Sequence, residues 1–450
     1  MKDSNGMEQA EVENGGRLRE DMRLYRMVDL HGGGEMMTIM RHAKATKDYS
    51  FVDDYIKKRM PEFLLNNEKG KLFAVTELVT LRNKERNAKL GAFLRKKGKG
   101  KAAVNVLEGF DQNDAMTGDL KKGILQERGS MGETIVGVCL LQGTIIHNML
   151  ALRILDFYPK LLNDICTSED YYGLSPLHLA IINHDVQMVS KLLQRGADVN
   201  QRCYGAFFCA DDQKSSRTDS LEHEYVDLTM NTNYTGTMYF GEYPLSFAVC
   251  MNQPDLFRLL VAKKANLNAQ DTNGNTVLHL CVIHEKIEMM KMALEAGARL
   301  NIVNKQNLTP LTLAAKLAKK KLFNIILELE GESVWVYGEA NCFSYPLTKI
   351  DTINEVSGEM NEQSALSLVV YGKTSEHLEL LDGILEKILD EKWKAFGKQC
   401  WLRSLLAFTF YYVIFTAAYM LRPFSATTEV IFVKFSSLIY QLKSSCRITS

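Results

Sequence analysis

Asp271-Thr-Asn-Gly-Asn-Thr-Val-Leu-His-Leu-Cys281, an apolar-periodic stretch, and Glu295-Ala-Gly-Ala-Arg-Leu-Asn-Ile-Val-Asn304 decide the reading of this chain. Asp271 and Gly274 form a turn, and Thr276 and His279 can cap and tie the helix that begins at Val277. A second helix follows, and Gly297 closes the unit with a left-handed turn. The same frame returns downstream as Thr309-Pro310-Leu311-Thr312-Leu313-Ala314. Upstream it is Tyr243-Pro244-Leu245-Ser246-Phe247-Ala248, ending in Lys264-Ala265-Asn266-Leu267-Asn268. Equivalent positions Pro244, Val277 and Pro310 are spaced 277 − 244 = 33 and 310 − 277 = 33. A fourth copy runs from Gly173 through Ser175-Pro176-Leu177-His178 to Gly196-Ala197-Asp198-Val199-Asn200.

A period of about 33 residues with this turn, helix and helix content is the signature of ankyrin repeats, which bury their apolar faces only by stacking. Pro176, Leu177, His178, Gly196, Pro244, Leu245, Gly274, Thr276, His279, Gly297, Thr309, Pro310 and Leu311 form its fingerprint and are read as structural. Pro176 and Pro244 lie 244 − 176 = 68 apart, one period plus about 35 residues. The surplus, about 201–238, is polar and turn-rich and reads as a long finger. Residues 1–47, with Gly15-Gly16 and Gly32-Gly33-Gly34 amid charge, read as a mobile lead-in with room for one short helix. The ankyrin domain is expected over 48–330, with degenerate first repeats from about Asp48 to Gln126 and another repeat with a stretched loop around Gly132–Phe157. After Glu330 the solenoid is expected to end. A linker over 331–400 carries β-like runs at Ser333–Tyr337 and Phe343–Leu347, then helical stretches Ser364–Val370 and Leu378–Lys398.

The 18 residues Ser404–Leu421 are uncharged and bounded by Arg403 and Arg422. At about 1.5 Å per residue they reach about 27 Å, close to a bilayer core. A membrane helix is placed at 401–422 and a tail at 423–450. Lys387, Lys392, Lys394, Lys398 and Arg403 precede the span, whereas Arg422 and Lys434 follow it, so the ankyrin side is expected to be cytoplasmic. Val430–Leu442 is too short and too charged to span. The fold class is therefore mainly α: an ankyrin solenoid, a small β-containing linker, then one transmembrane helix.

The 54 basic residues balance the 54 acidic ones, which argues against a nucleic-acid partner. Nine cysteines without a C-x-x-C pair read as reduced thiols. The polar start Met1–Gly6 gives no secretory leader. His284-Glu285 and His223-Glu224 would need histidine at 288 and 227 to make a zinc-protease helix, and those positions are Glu288 and Asp227. Arg95–Lys101 lacks the spacing of a phosphate-binding loop and reads as a solvated basic loop. Asn233-Tyr-Thr and Asn307-Leu-Thr match the glycosylation pattern but fall in the cytoplasmic body. No nucleophile, base and orienter share a motif, so no catalytic, metal or cofactor site is expected.

Between Ser168 and Phe424 the chain resembles the transient receptor potential channels of the vanilloid type (TRPV). The resemblance rests on Tyr239-Phe-Gly-Glu-Tyr-Pro-Leu245 after the finger and on the linker strings Trp335-Val-Tyr-Gly338 and Ile350-Asp-Thr352. It rests also on Asp390-Glu-Lys-Trp393 before the span and on Ile414-Phe-Thr-Ala-Ala418 with Arg422-Pro423 at its end. It implies a subunit of a tetrameric, calcium-permeable cation channel in the plasma membrane, a role in sensory transduction, and other such subunits, membrane lipid and a cytoplasmic regulator on the ankyrin face as partners. By residue type Trp335, Tyr337 and Trp393 read equally as core aromatics; the resemblance implies that they anchor the linker against a neighbouring subunit. Some members hold ATP through cationic side chains on the concave face. At the aligned positions this chain has Glu133, Val138, Leu174, Ile182 and Asn183, so ATP is not expected here. The family places five more spans and a pore loop after the segment matched by Arg422-Pro423, where this sequence has 450 − 423 = 27 residues. The reading is therefore of a short form without a pore: a regulatory, assembly or truncated isoform. The alternative is a membrane-tethered ankyrin adaptor.

Overall fold

The computed structural model describes residues 23–28, 33–63, 128–220, 225–353 and 358–421. It divides into two compact units, Met1–Glu379 and Leu380–Ser450.

The first unit is built on one repeated joint. Inner helices α4 (Ile135–Gln142), α6 (Pro176–Ile182), α8 (Pro244–Cys250), α10 (Val277–Ile283), α12 (Pro310–Lys316) and α14 (Ala365–Val370) stack in a row. Each is followed by an outer helix: α5 (Ile145–Phe157), α7 (Val186–Gln194), α9 (Pro254–Ala262), α11 (Ile287–Glu295), α13 (Lys320–Glu330) and α15 (Ser375–Glu379). In all six pairs the outer helix begins ten residues after the inner one, as in 145 − 135, 254 − 244 and 375 − 365. Five of the joints turn on a left-handed residue eight places after the inner start: Gly143, His184, Asn252, Glu285 and Ala318. Four of the five are not glycine, so the stacked helices hold a backbone conformation that the residue itself disfavours.

Each inner helix is flanked by neighbours and by its own outer partner. Five places into it stands a small or compact residue, Cys139, Ala180, Ala248, Cys281, Ala314 or Val369, at no more than 1% exposure. Leucine or another aliphatic fills the second place, with Leu177, Leu245, Leu278, Leu311 and Leu366 all buried. The small column lets successive helices approach; the leucines fill the space between them.

Several expectations are corrected. Residues 1–47 are not a mobile lead-in where they are described: α1 (Arg23–Met27) and α2 (Glu35–Thr46) bury Leu24, Met36, Met37 and Met40. With α3 (Ser50–Arg59) they close the start of the solenoid on α5, where the Arg153 guanidinium meets Asp53 at 2.5 Å and lies 4.2 Å over Tyr49. Most of the expected degenerate repeats, 64–126, lies outside the described residues. The repeat around Gly132–Phe157 has no stretched loop, because Gly143 and Thr144 alone join its helices. The solenoid does not end at Glu330. A hairpin of β3 (Glu332–Tyr337) and β4 (Ala340–Ser344) interrupts it, and α14 then resumes the inner row against α12. The His377 Nε2 lies 3.1 Å from the Lys316 carbonyl and pins this last pair in place. The interruption hid the repeat, since the 33-residue spacing is lost across it.

In the second unit one helix runs from Ile384 to Met420. It comprises α16 (Ile384–Lys392), a π turn over Trp393–Gly397 and α17 (Lys398–Met420). This is the one helix among the described residues long and apolar enough to cross a membrane, and none of its apolar window is buried. Its apolar segment α17 begins at Lys398, three residues before the expected 401. Thr409 and Thr416 turn their hydroxyls back onto the carbonyls of Leu405 and Tyr412, each at 2.8 Å. That satisfies both groups without water.

The tight inner row sets a test. Ala248→Leu adds three carbons where the next helix already packs, and it should cost about 1–3 kcal/mol. A urea midpoint equal to that of the parent protein would mean that the row has slack.

Candidate interaction surfaces

The insertion between α7 and α8 does not project as a free finger. Its described residues, 201–220 and 225–243, form two short turns and the two-stranded pair β1 (Thr218–Asp219) and β2 (Val226–Asp227), and they fold down onto the turns of the following repeats. Gln213 and Asn273 exchange amide hydrogen bonds at 2.8 and 3.0 Å, both buried. Tyr239 donates its hydroxyl to Asp271 and accepts from Asn275 Nδ2 at 2.8 Å. Its ring stacks on Tyr234 at 5.5 Å, and Asn304 Nδ2 donates to the Tyr234 hydroxyl at 3.3 Å. Farther along, the Lys316 ammonium donates to the Thr232 carbonyl and to Gln306 Oε1, both at 2.8 Å. At the base, Arg202 pairs with Glu242, donates to Thr272 at 3.2 Å and covers the Tyr204 ring at 4.6 Å.

Asp271 and Asn304 occupy the same place one period apart, 304 − 271 = 33. Asp271 Oδ1 accepts the amides of Asn273 and Asn275 at 2.9 and 2.8 Å. Asn304 Oδ1 accepts those of Gln306 and Leu308 at 2.9 and 3.0 Å. Either residue holds the repeat's turn. The extra oxygen of Asp271 holds the insertion through Tyr239. Burial, then the nearby Glu242 charge, raises the Asp271 carboxyl above its ordinary range.

The fingerprint residues sit at the helix starts and turns. Pro176, Pro244 and Pro310 are the first helical residues, where a missing amide proton costs nothing. Leu177, Leu245 and Leu311 lie in the core. Ser175 with His178, Thr276 with His279 and Thr309 with Thr312 form capping boxes. His279 Nδ1 accepts the Thr276 amide at 3.2 Å, which leaves the proton on Nε2 to be donated to the Leu308 carbonyl at 3.0 Å. His178 repeats the cap, but among the described residues its Nε2 makes no well-formed hydrogen bond; the nearby Glu242 carbonyl takes the Cys203 amide at 2.6 Å. Burial pushes the two imidazoles down to about 3 for His178 and about 4 for His279, so both stay neutral. Gly196 and Gly297 take left-handed turns. At Gly274 a Cβ would stand 2.7 Å from the Lys305 amide, so the next turn leaves no room for a side chain.

Sequence reasoning missed two further caps on outer helices. Thr144 Oγ1 meets His147 Nδ1 at 2.6 Å, and Thr374 Oγ1 meets His377 Nδ1 at 2.7 Å. The string Thr-x-x-His at 144–147 and 374–377 carried the signal. Among the residues aligned with an ATP site, the buried Glu133 accepts the Tyr25 hydroxyl at 2.5 Å and the Met131 amide at 2.8 Å. Val138 and Leu174 are buried in the core, and Asn183 donates to the Leu140 carbonyl.

The linker residues stand in the open. Trp335 is 53% and Tyr337 84% exposed on β3, beside Val334 and Val336, which are exposed as well. A two-stranded ribbon is marginal without cover. This one presents its apolar side chains outward, the arrangement of a surface made to be covered. Trp393 belongs to the second unit, 47% exposed, with its ring 6.3 Å from Trp401. The structure therefore does not gather the three linker aromatics into one cluster within a unit.

Residues 172–204 match the ankyrin-repeat family, and 230–336 match ankyrin repeats in three copies. The fold thus defines an ankyrin-repeat protein. The chain is 29% identical over 317 residues to human transient receptor potential cation channel subfamily V member 6, covering 68% of this chain and 37% of that protein. It is 30% identical over 311 residues to mouse subfamily V member 5, 66% of this chain and 38% of that one. Human subfamily V member 2 is 32% identical over 293 residues, 58% and 34%. Its ankyrin region is of the TRPV type, and the chain spans a little over a third of the length of these relatives.

The bridge from Asp271 to Tyr239 yields a test. Asp271→Leu removes the acceptor for two buried amides and one hydroxyl and should cost about 1–3 kcal/mol, while Asp271→Asn restores the turn as Asn304 does. Limited proteolysis within 201–243 should accelerate in both variants, because each removes the oxygen that takes the Tyr239 hydroxyl, while only the leucine variant also loses the stability of the turn. Cleavage at the parent rate in both would mean that the insertion is held elsewhere.

Proposed function

We propose that this chain is a subunit, or the front part of one, of a TRPV-like calcium-permeable cation channel. The observation that carries the reading is the coincidence of three features in one order. The insertion ends in Tyr239-Phe-Gly-Glu-Tyr-Pro-Leu245, an exposed Trp-Val-Tyr hairpin interrupts the ankyrin row, and an apolar helix of spanning length follows. Similarity to proteins named as cation channels extends over 68% and 66% of the chain. In this reading the helix Lys398–Met420 is the first membrane span, and the solenoid faces the cytoplasm of the plasma membrane. The exposed hairpin, with Trp335 and Tyr337, docks on a neighbouring subunit of a tetramer, and Trp393 supports the entry to the span. The fingerprint residues are structural, and none of them handles a ligand.

The 450 residues by themselves supply an assembly and regulatory body rather than a pathway for ions. A selectivity filter needs a ring of carbonyls or carboxylates from a pore loop, and no described segment offers one. Expressed alone, the chain should give no calcium-permeable current in whole-cell recording. Expressed with a full-length subunit, it should crosslink into mixed tetramers, and Trp335→Ala with Tyr337→Ala should reduce that crosslinking at unchanged thermal stability. A robust current from the chain alone would refute the pore-less part of the reading. A monomer, or capture of an unrelated protein only, would favour a membrane-tethered ankyrin adaptor instead.

A further inference from the structure

The helix that enters the apolar span carries its own chemistry. From Lys392 to Leu421 there is no acidic residue, while Lys392, Lys394, Lys398 and Arg403 lie at the entry. The two acids just before, Asp390 and Glu391, are both engaged by Lys394, at 2.6 and 3.2 Å. Lys398 and Arg403 form no ion pair among the described residues, and both stand exposed. Trp393, Phe396 and Trp401 are about half exposed at the same level, with the rings of Trp393 and Trp401 together. The π turn over Trp393–Gly397 lies at this boundary, between the polar α16 and the apolar α17. Such wide turns are frequent at functional sites.

Tryptophan settles at the polar edge of a bilayer, where its ring is apolar and its indole N–H stays wet. Lysine and arginine at that depth extend their charge to the headgroups. A cation cluster immediately outside a span is attracted to anionic lipid by about 1 kcal/mol per charge. We propose that Lys398 and Arg403, bracketing Trp401, hold the headgroups of anionic phospholipids of the inner leaflet, with the Trp393–Trp401 pair fixing the depth of the helix. The proposal rests on α17 spanning the membrane, and it names the lipid class selected at its entry. The match is one of charge: two unpaired cations in a stretch without carboxylates face a phosphate layer that bears net negative charge.

The chain has three tryptophans, so Trp335→Phe leaves only the pair in question as fluorophores. That variant is reconstituted as the full chain into vesicles of phosphatidylcholine with phosphatidylserine, one or the other brominated. Alkaline carbonate extraction is scored first: loss from the membrane would defeat the spanning reading itself, and retention leaves the lipid question to the quenching. Shallow bromines should quench more than deep ones, and brominated phosphatidylserine more than brominated phosphatidylcholine at equal mole fraction. Lys398→Gln with Arg403→Gln should lower that preference by roughly five-fold for each cation removed, with depth unchanged. Equal quenching by the two lipids, a preference untouched in the double variant, or stronger quenching by deep bromines would overturn the proposal.

Discussion

The structure depends on how closely one short helix can lie against the next. An inner helix of six to eight residues is too brief to be stable alone, and its stability comes from the surfaces it buries. The compact residue five places in, from Cys139 through Ala180, Ala248, Cys281 and Ala314 to Val369, admits the neighbour on one side. The ten-residue step to the outer helix keeps each pair in the same register, so one geometry serves six times. Side chains with poor left-handed propensity, such as Glu285 and Ala318, still accept it at the joint because the stacking on both sides fixes the turn.

That row also explains the insertion's behaviour. A long segment leaving a solenoid could stay loose, but this one meets a line of turn residues that recur each period: Asp271, Asn273, Asn275, Asn304 and Gln306. Their side chains already close the turns, and their remaining polar atoms take Gln213, Tyr234, Tyr239 and the carbonyls of Met230 and Thr232. The bridge is polar and buried, so it specifies one docked position rather than a range of greasy contacts. Runs of exposed apolar side chains gather instead on the hairpin around Trp335 and on the apolar helix, the two surfaces that the proposed assembly and the bilayer would cover.

Much of this was legible in the residues. Pro176, Pro244 and Pro310 at helix starts, Gly196 and Gly297 at helix ends and the 33-residue spacing name the ankyrin fold from local chemistry alone. The apolar run after Arg403 gives a helix of spanning length for the same reason. The pairs at 135–157 and 365–379 were harder to read, one without a proline or the Thr-x-x-His string at its inner start, the other displaced by the hairpin. The docked insertion was illegible, because its partners lie as far apart in sequence as Gln213 and Asn273 and no local pattern links them. Helices α1 to α3 were obscured by glycines, whose flexibility says nothing of the methionine face that follows Gly34.

The account turns on a membrane protein that assembles through its ankyrin-side linker. The most direct measurement is to count subunits by single-molecule photobleaching of the fluorescently tagged chain in a cell membrane. Spots distributed around four bleaching steps, alone or mixed with full-length subunits, are what the account predicts. Single-step spots at all expression levels, or a chain that leaves the membrane on washing, would contradict it.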